Sequence, residues 1–207
     1  MNKIQTLIFD LGGVLLNLKT EQEWLEEDLI PNFLPEKLHQ LQRNNFFHQF
    51  EKGKVSEQDF IQQLKNIALN NEISEELIIQ NWNSVLLEIP KYRVDLLKCL
   101  SEKYKLLLLS NTNSIHLKHI RMYVQQTFNE DILEAIFDTC YYSHEMGFRK
   151  PDKELYAFVM QEQQIKPGEV LFLDDKAENL IEPQKLGWQT MRVNFNKLSI
   201  NDVEYLL

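Results

Sequence analysis

The sequence predicts an α/β protein with a doubly wound parallel sheet and a helical segment inserted into it. Three observations predict this fold class. Short apolar runs that end in glycines or polar residues are typical of buried parallel strands. Amphipathic stretches of 10 to 13 residues follow the later runs, as helices do in βαβ units. One long stretch after the first run carries only helical signals, which indicates an insertion.

The first predicted strand covers residues 6–9, and it is followed by Asp10 and by the Gly12-Gly13 turn. The other predicted strands are, in chain order, 104–109, 135–142, 170–173 and 189–193. The predicted helices that separate them are 114–126, 152–164 and 177–186. Because βαβ crossovers make these strands parallel, their carboxyl ends should meet at one edge of the sheet.

The sequence pattern of the inserted segment predicts helices over residues 21–30, 35–51, 56–68 and 74–87. Ser56 and Ser74 are each followed by acidic residues, the pattern of a helix start with a capping hydroxyl. We therefore expect a helical cap over residues 19–89. The α/β core would then consist of residues 1–18 and 90–207.

The composition of the 207-residue chain excludes several classes of protein. The 22 basic and 31 acidic residues give a net charge of −9, which argues against nucleic-acid or anionic-membrane partners. Cys99 and Cys140 match neither a disulfide framework nor a zinc site, which fits a reducing compartment. We see no targeting segment and no apolar stretch of membrane-spanning length. The expectation is a cytoplasmic protein.

Polar residues stand at the ends of three predicted strands. Asp10 follows the first strand, and Ser110-Asn111 follow the second. Asp174 and Asp175 follow the fourth. A lone aspartate after a strand is usually a helix cap, but this set should converge at one edge of the sheet. Three crowded carboxylates repel one another unless a cation shares them, and oxygen ligands suit Mg²⁺.

Lys150 is the expected basic partner for an anionic substrate. Pro151 restricts the backbone of Lys150, while the long side chain can reach inward. Mg²⁺, Lys150, a serine hydroxyl and the amides of the Gly12-Gly13 turn would together form a phosphate cradle. Asp10 would then be free to attack phosphorus and form an aspartyl-phosphate that water cleaves.

Four segments, in this order and spacing, resemble the motifs of the haloacid dehalogenase (HAD) superfamily. They are FDLGGVLL at 9–16, LLLSNTN at 107–113, GFRKP at 147–151 and LFLDD at 171–175. The resemblance covers the whole chain and implies a Rossmann-like core with a helical cap between the first two motifs. Within the superfamily the chain is most similar to the bacterial α-D-glucose-1-phosphate phosphatase type, on LSNTN, MGFRKP, LDDKAENL and FFHQFEKGKVS.

The resemblance implies a set of metal ligands and an activity. Asp10 would be both the nucleophile and a Mg²⁺ ligand. Asp175 would be the second carboxylate ligand, the backbone carbonyl of Gly12 would complete the protein ligands, and Asp174 would act through a water. The implied activity is Mg²⁺-dependent hydrolysis of a small phosphomonoester, with a hexose 1-phosphate as the candidate.

The resemblance also implies substrate contacts. Ser110 and Asn111 would hold the phosphoryl oxygens, and Lys150 would contact both the phosphate and the nucleophile. From their positions in the chain we add two further candidates for substrate binding. Arg149 stands beside Lys150, and His48 lies near the end of a predicted cap helix, where a cap can face the core.

One position departs from the family pattern. Most phosphatases of this superfamily carry a second aspartate two residues after the nucleophile, and Gly12 stands there in this chain. General acid–base help is worth ~10²–10⁴-fold in rate. Three explanations stay open: an acidic leaving group such as a sugar anomeric oxygen, a proton from His48 or Glu51, or a loss of efficient catalysis. The last would make the chain a catalytically weak HAD-fold module that binds a phosphorylated metabolite or a protein partner.

Two other chemistries of the superfamily are less favoured. Dehalogenation of 2-halo acids uses no metal, so the Asp174-Asp175 pair would be unnecessary. Phosphonate cleavage would require a Schiff base on a cap lysine, for which Lys52 and Lys54 are the candidates.

Elsewhere, we expect His116 and His119 on a solvated helix face, since no third metal ligand accompanies them. Trp24, Trp82 and Trp188 are expected to fill packing positions.

Overall fold

The computed structural model describes residues 3–199 and Val203. Within them, five parallel strands form one sheet in the order β3-β2-β1-β4-β5. The strands are β1 Thr6–Phe9, β2 Lys105–Ser110, β3 Thr139–Tyr142, β4 Val170–Asp174 and β5 Gln189–Arg192. This topology confirms the predicted parallel α/β fold.

Helices precede β2 and separate the later strands. The α-helices are α1 Glu21–Trp24, α2 Pro35–Arg43, α3 Phe46–Glu51, α4 Glu57–Lys65, α5 Glu75–Asn83, α6 Lys91–Ser101, α7 Ser114–Phe128, α8 Ile132–Ile136, α9 Ser143–Met146, α10 Lys153–Glu162 and α11 Ala177–Lys185. The predicted caps are confirmed, because the side chains of Ser56 and Ser74 accept hydrogen bonds from Asp59 N and Leu77 N. No helix in the described part of the chain is long and apolar enough to cross a membrane.

Three local predictions were wrong. The predicted strand 135–142 begins only at Thr139, because α8 takes up Ala135 and Ile136. The predicted helix 35–51 is two helices, since Asn45 has a left-handed backbone (φ 57°) that interrupts it. The predicted helix 21–30 changes after Trp24 into a π-helix, Leu25–Leu29.

Apolar side chains form a cluster on each face of the sheet and a third among the inserted helices. Leu7 and Phe9 of β1 belong to one cluster and Ile8 to the other, as the alternation of a strand requires. The third cluster joins residues of α2 to α5, and Ile115 of α7 packs into it. The inserted helices therefore have an apolar core of their own, which rests on the start of α7. The division predicted from the sequence, with a cap over residues 19–89 and a core of residues 1–18 and 90–207, stays a prediction.

Two chain segments connect the inserted helices to the sheet and run side by side. Asn17 N donates to Glu88 O at 2.9 Å, and Leu87 N donates to Asn17 O at 2.9 Å. Arg93, at the start of α6, lies beneath these segments and is 0% exposed. Its guanidinium donates to the carbonyls of Leu15 (3.1 Å) and Asn196 (2.7 Å) and to Asn17 Oδ1 (2.8 Å). The segment after β1 is thus tied to a segment that follows β5.

Candidate active site

The carboxyl ends of β1, β2 and β4 bring the sequence-predicted residues together. The register pairs Phe9 with both Leu108 and Leu173, so the carboxyl ends of the three strands lie within two residues of one another. Asp10 N donates to Leu173 O at 2.9 Å, which places Asp10 directly beside Asp174. Ser110 ends β2 on the other side of β1 and is buried.

Lys150 lies between two carboxylates. Its Nζ is 2.7 Å from Asp10 Oδ1 and 2.7 Å from Asp174 Oδ2, and the residue is 1% exposed. Asn111 holds the backbone on both sides of this lysine: Lys150 N donates to Asn111 Oδ1 (2.8 Å), and Asn111 Nδ2 donates to Lys150 O (2.9 Å). The side chain of Asn111 therefore positions Lys150.

Burial and mutual repulsion shift the ionisation of this cluster. Burial raises the pKa of Asp10 to about 7, the Lys150 ammonium opposes that rise, and the Asp174 carboxylate adds to it. The pKa of Asp175 is raised by burial and by Asp174. Burial by itself would lower the pKa of Lys150, but the two carboxylates beside it outweigh burial and raise that pKa. Lys150 therefore stays charged.

The carboxylates fit a divalent cation. Asp10, Asp174 and Asp175 each offer an oxygen, and these oxygens lie within 4.8 Å of one another. Asp174 also accepts hydrogen bonds at Oδ1 from Lys176 N (2.8 Å) and Asn179 Nδ2 (2.9 Å). Asp175 Oδ1, by contrast, is buried without a hydrogen-bond partner among the described residues. A buried, unpartnered oxygen beside two other carboxylates suits a hard cation such as Mg²⁺.

A cavity of about 780 Å³ opens from these residues toward the inserted helices. His48 and Arg149, both predicted to bind substrate, line it together with Glu51. Arg149 Nε donates to Glu51 Oε2 at 2.8 Å, an ion pair between α3 and the segment before Lys150. Burial, and next the nearby Arg149 charge, hold the pKa of His48 below its usual value.

Three aromatic residues that the sequence reasoning left out of the site also line the cavity: Trp24, Phe47 and Trp82. The rings of Trp24 and Trp82 lie 4.8 Å apart, and Trp24 Nε1 donates to Asn81 O at 3.0 Å. Trp82 is only 4% exposed, so it also fills the packing role expected of it. Trp188 is buried against Tyr156 and Phe172, as expected.

The expectation for His116 was wrong. Its ring stacks on Trp82 with 5.3 Å between centroids, and its Nε2 lies 3.0 Å from Trp82 O. Burial lowers the pKa of His116 to about 4, although the hydrogen bond to Trp82 works against this. His116 and Trp82 are 34 residues apart in sequence, so no local sequence pattern predicts their contact.

The lysines proposed for phosphonate chemistry lie outside the cavity lining. Lys52 Nζ is 2.7 Å from Asp152 Oδ2, and neither Lys52 nor Lys54 is among the lining residues of the described chain. Gly53 lies between them with a left-handed backbone (φ 65°), and a Cβ there would run into the His144 carbonyl oxygen. The turn after α3 therefore packs tightly on the segment that leads to Lys150.

This chain is similar to known hydrolases. The profile of the haloacid dehalogenase-like hydrolases matches residues 4–186. The D-ribitol-5-phosphate phosphatase of Bacteroides thetaiotaomicron is 27% identical over 194 residues, which cover 91% of each protein. The crystal structure of HAD family enzyme bt-2542 from the same organism is 33% identical, with a TM-score of 0.85 over 97% of this chain and 98% of that chain. Wild-type bt-2542 in complex with magnesium and inorganic phosphate is 34% identical, with a TM-score of 0.79 over 94% and 96%.

Proposed function

This chain belongs to the haloacid dehalogenase-like hydrolases, and from that premise we propose that it is a Mg²⁺-dependent phosphatase. Its substrate is a small phosphomonoester, with a hexose 1-phosphate as the candidate. One observation carries the proposal: the buried Lys150 ammonium contacts both Asp10 and Asp174, beside the unpartnered oxygen of Asp175. The phosphatase name of one relative, and the magnesium and phosphate complex of another, support it. The reducing, cytoplasmic location stays a prediction.

Asp10, Asp175 and the Gly12 carbonyl would hold Mg²⁺, with Asp174 acting through a water. When bound there, the ion supplies positive charge that neutralises the phosphate as phosphorus is attacked. Lys150 adds a second fixed charge, and Asn111 keeps it in place through the two backbone hydrogen bonds. Because the site is buried, these charges act at a lower effective dielectric than in water.

The reaction proceeds in two displacements at phosphorus. An Asp10 oxygen forms a bond to phosphorus while the bond from phosphorus to the leaving-group oxygen breaks. Ser110 and Asn111 hold the phosphoryl oxygens. A water then attacks phosphorus, the bond to Asp10 breaks, and inorganic phosphate leaves with the carboxylate restored.

The inserted helices of residues 19–89 act as a cap that selects the leaving group. Arg149, paired with Glu51 across the cavity, and His48 are the polar side chains that contact it. Closure of the cap excludes bulk water during transfer, and opening releases the products.

The test measures phosphate release from a panel of sugar phosphates with Mg²⁺ and with EDTA. Wild type is compared with Asp10→Asn and with a matched control, Asp95→Asn, which removes an exposed carboxylate on α6. We expect release that requires Mg²⁺ and Asp10, that is strongest on a 1-phosphate and that is unchanged in the control. If a folded wild-type protein releases no phosphate from any ester, the proposal fails and the binding-module alternative replaces it.

A further inference from the structure

The space beside Gly12 is filled by an apolar side chain. A Cβ built on Gly12 would lie 2.9 Å from Leu18 Cδ1, closer than such atoms approach. The backbone of Gly12 is not among those with positive φ, so conformational freedom does not explain the glycine. Gly12 and Leu18 both line the cavity that begins at Asp10. The position two residues after the nucleophile thus carries no side chain, and a leucine occupies the room for one.

Leu18 is held over Gly12 by a residue far along the chain. Leu18 N donates to Asn196 Oδ1 at 3.0 Å, and Asn196 Nδ2 donates to Leu18 O at 2.7 Å. Asn196 N in turn donates to Gly13 O at 2.7 Å, and Arg93 donates to Asn196 O at 2.7 Å. One asparagine therefore binds both backbone groups of Leu18 and the glycine turn itself. Such a network fixes where the leucine lies.

The carboxylates of the cavity outside the Asp10 cluster are either engaged by hydrogen-bond donors or exposed. Glu51 Oε2 accepts a hydrogen bond from Arg149 Nε at 2.8 Å, so the Arg149 guanidinium engages this carboxylate. Glu21 Oε1 accepts from Gln42 Nε2 at 2.6 Å, and Glu21 and Glu178 are exposed.

The two imidazoles of the cavity are also poorly suited to protonate a leaving group. His116 is engaged by the Trp82 carbonyl, and burial holds its pKa at about 4. Burial and Arg149 hold the pKa of His48 below its usual value, so its ring is mostly uncharged at neutral pH. The described carboxylates and imidazoles of the cavity outside the Asp10 cluster are thus each engaged by another group, exposed, or held in the uncharged form.

We propose that Gly12 and Leu18 together restrict this enzyme to phosphate esters whose leaving group departs without being protonated. The inference rests on the proposed phosphatase function. As the Asp10 oxygen bonds to phosphorus, the electron pair of the breaking bond goes to the leaving oxygen, which departs as an anion and takes a proton from water afterwards. Esters of acidic hydroxyls, such as anomeric hydroxyls and phenols, fit this demand. Primary alkyl esters, including open-chain polyol phosphates, do not.

The test compares kcat/KM for substituted phenyl phosphates and for primary alkyl phosphates. In wild type we expect kcat/KM to fall by at least ~10²-fold from the most acidic phenol to the alkyl alcohol, because no group supplies the proton. The same fall is expected in His48→Gln. If kcat/KM in wild type depends only weakly on the acidity of the leaving group, the inference is overturned. If that weak dependence becomes strong in His48→Gln, His48 is the proton donor.

A pair of double variants tests the role of Leu18 directly. Gly12→Asp/Leu18→Ala introduces a carboxyl group and the room for it, and Gly12→Asn/Leu18→Ala provides the same shape without a transferable proton. We expect the dependence on the leaving group to flatten in the aspartate variant only. If kcat/KM depends equally strongly on the leaving group in the two double variants, the role proposed for Gly12 and Leu18 is contradicted. Leu69→Ala, at an exposed leucine of the inserted segment, controls for a leucine truncation.

The outcomes separate the two proposals. If wild type hydrolyses no ester, even that of the most acidic phenol, both the proposed function and this inference fail. If wild type is an active Mg²⁺-dependent phosphatase with little preference for acidic leaving groups, only the inference fails.

Discussion

The two ends of the cavity are built in opposite ways. The phosphate end consists of Asp10, Ser110, Lys150, Asp174 and Asp175, where buried charges contact one another at fixed short distances. The leaving-group end is lined by the aromatic side chains of Trp24, Phe47 and Trp82 from the inserted helices and by the ion pair between Glu51 and Arg149.

The difference has a physical origin. Buried charges are tolerated only when each has a partner, so the phosphate end admits few substitutions. Apolar packing tolerates changes of shape at a smaller energetic cost, so the leaving-group end can vary. Changes at the phosphate end should therefore affect turnover and folding together, and changes at the leaving-group end should mainly affect substrate affinity.

The largest effect is expected for Lys150→Met. Removing the ammonium leaves Asp10 and Asp174 buried without their cation, and breaking such a buried pair costs ~3–5 kcal/mol. Turnover should be lost as well. Urea unfolding and phosphate release are the measurements, and Lys153→Met, at an exposed lysine of α10, is the control. A loss of stability no larger than that of the control would contradict the picture of a tightly paired phosphate end.

A smaller effect is expected for Gly53→Ala. The new Cβ would run into the His144 carbonyl, so the turn after α3 would be pushed away from the segment that carries Lys150. Gly147→Ala is the matched control, because Gly147 has a similar φ (77° against 65°) but open space around its Cβ. Backbone strain of ~1–2 kcal/mol should be common to both variants. We expect KM to rise further in Gly53→Ala, and equal KM values would show that the contact is unimportant.

Trp24→Leu should alter affinity with little effect on turnover. Trp24 lines the cavity and makes no contact with the charged cluster, so it acts on the leaving group alone. Loss of an aromatic surface is worth ~0.5–1.5 kcal/mol beyond burial, which predicts a several-fold rise in KM. Steady-state kinetics measures both constants, with Phe158→Leu, an exposed aromatic residue of α10, as the control. A loss in kcat without a change in KM would count against the division into two ends.

The smallest effect is expected in the pH dependence of stability. The pKa of His116 falls from 6.5 to about 4 on folding, so the unfolded chain binds more protons between these values. The free energy of unfolding should therefore fall as the pH drops from 7 to 6, with a share of ~0.7 kcal/mol from this group. His116→Gln should remove that share, and His39→Gln, at an exposed histidine of α2, should not. Parallel pH profiles for wild type and His116→Gln would refute the assignment.

The sequence predicted the phosphate end well because its residues follow strands. Parallel strands end at one edge, so a short apolar run followed by Asp10 or Asp174 specifies both the element and the position. The leaving-group end could not be predicted in this way. Leu18 is held by Asn196, 178 residues away, and no local pattern encodes such a contact.

The wrong predictions also have local physical reasons. Ala135 and Ile136 continue an apolar run, but Asp131 caps α8 by accepting hydrogen bonds from Leu133 N and Glu134 N. A short apolar run cannot by itself distinguish a strand from a buried helix. The break between α2 and α3 depends on Asn45, and asparagine adopts the left-handed conformation more readily than most residues do.

The hydrogen bonds around Arg93 and Asn196 have a consequence for synthesis of the chain. The loop after Asp10 leaves the ribosome before residues 93 and 196 do, yet Gly13, Leu15 and Leu18 find their partners in Asn196 and Arg93. A growing polypeptide can form β1 and the inserted helices while the loop still lacks the asparagine that holds it. Asp10 is thus translated well before the residues that complete the geometry around it.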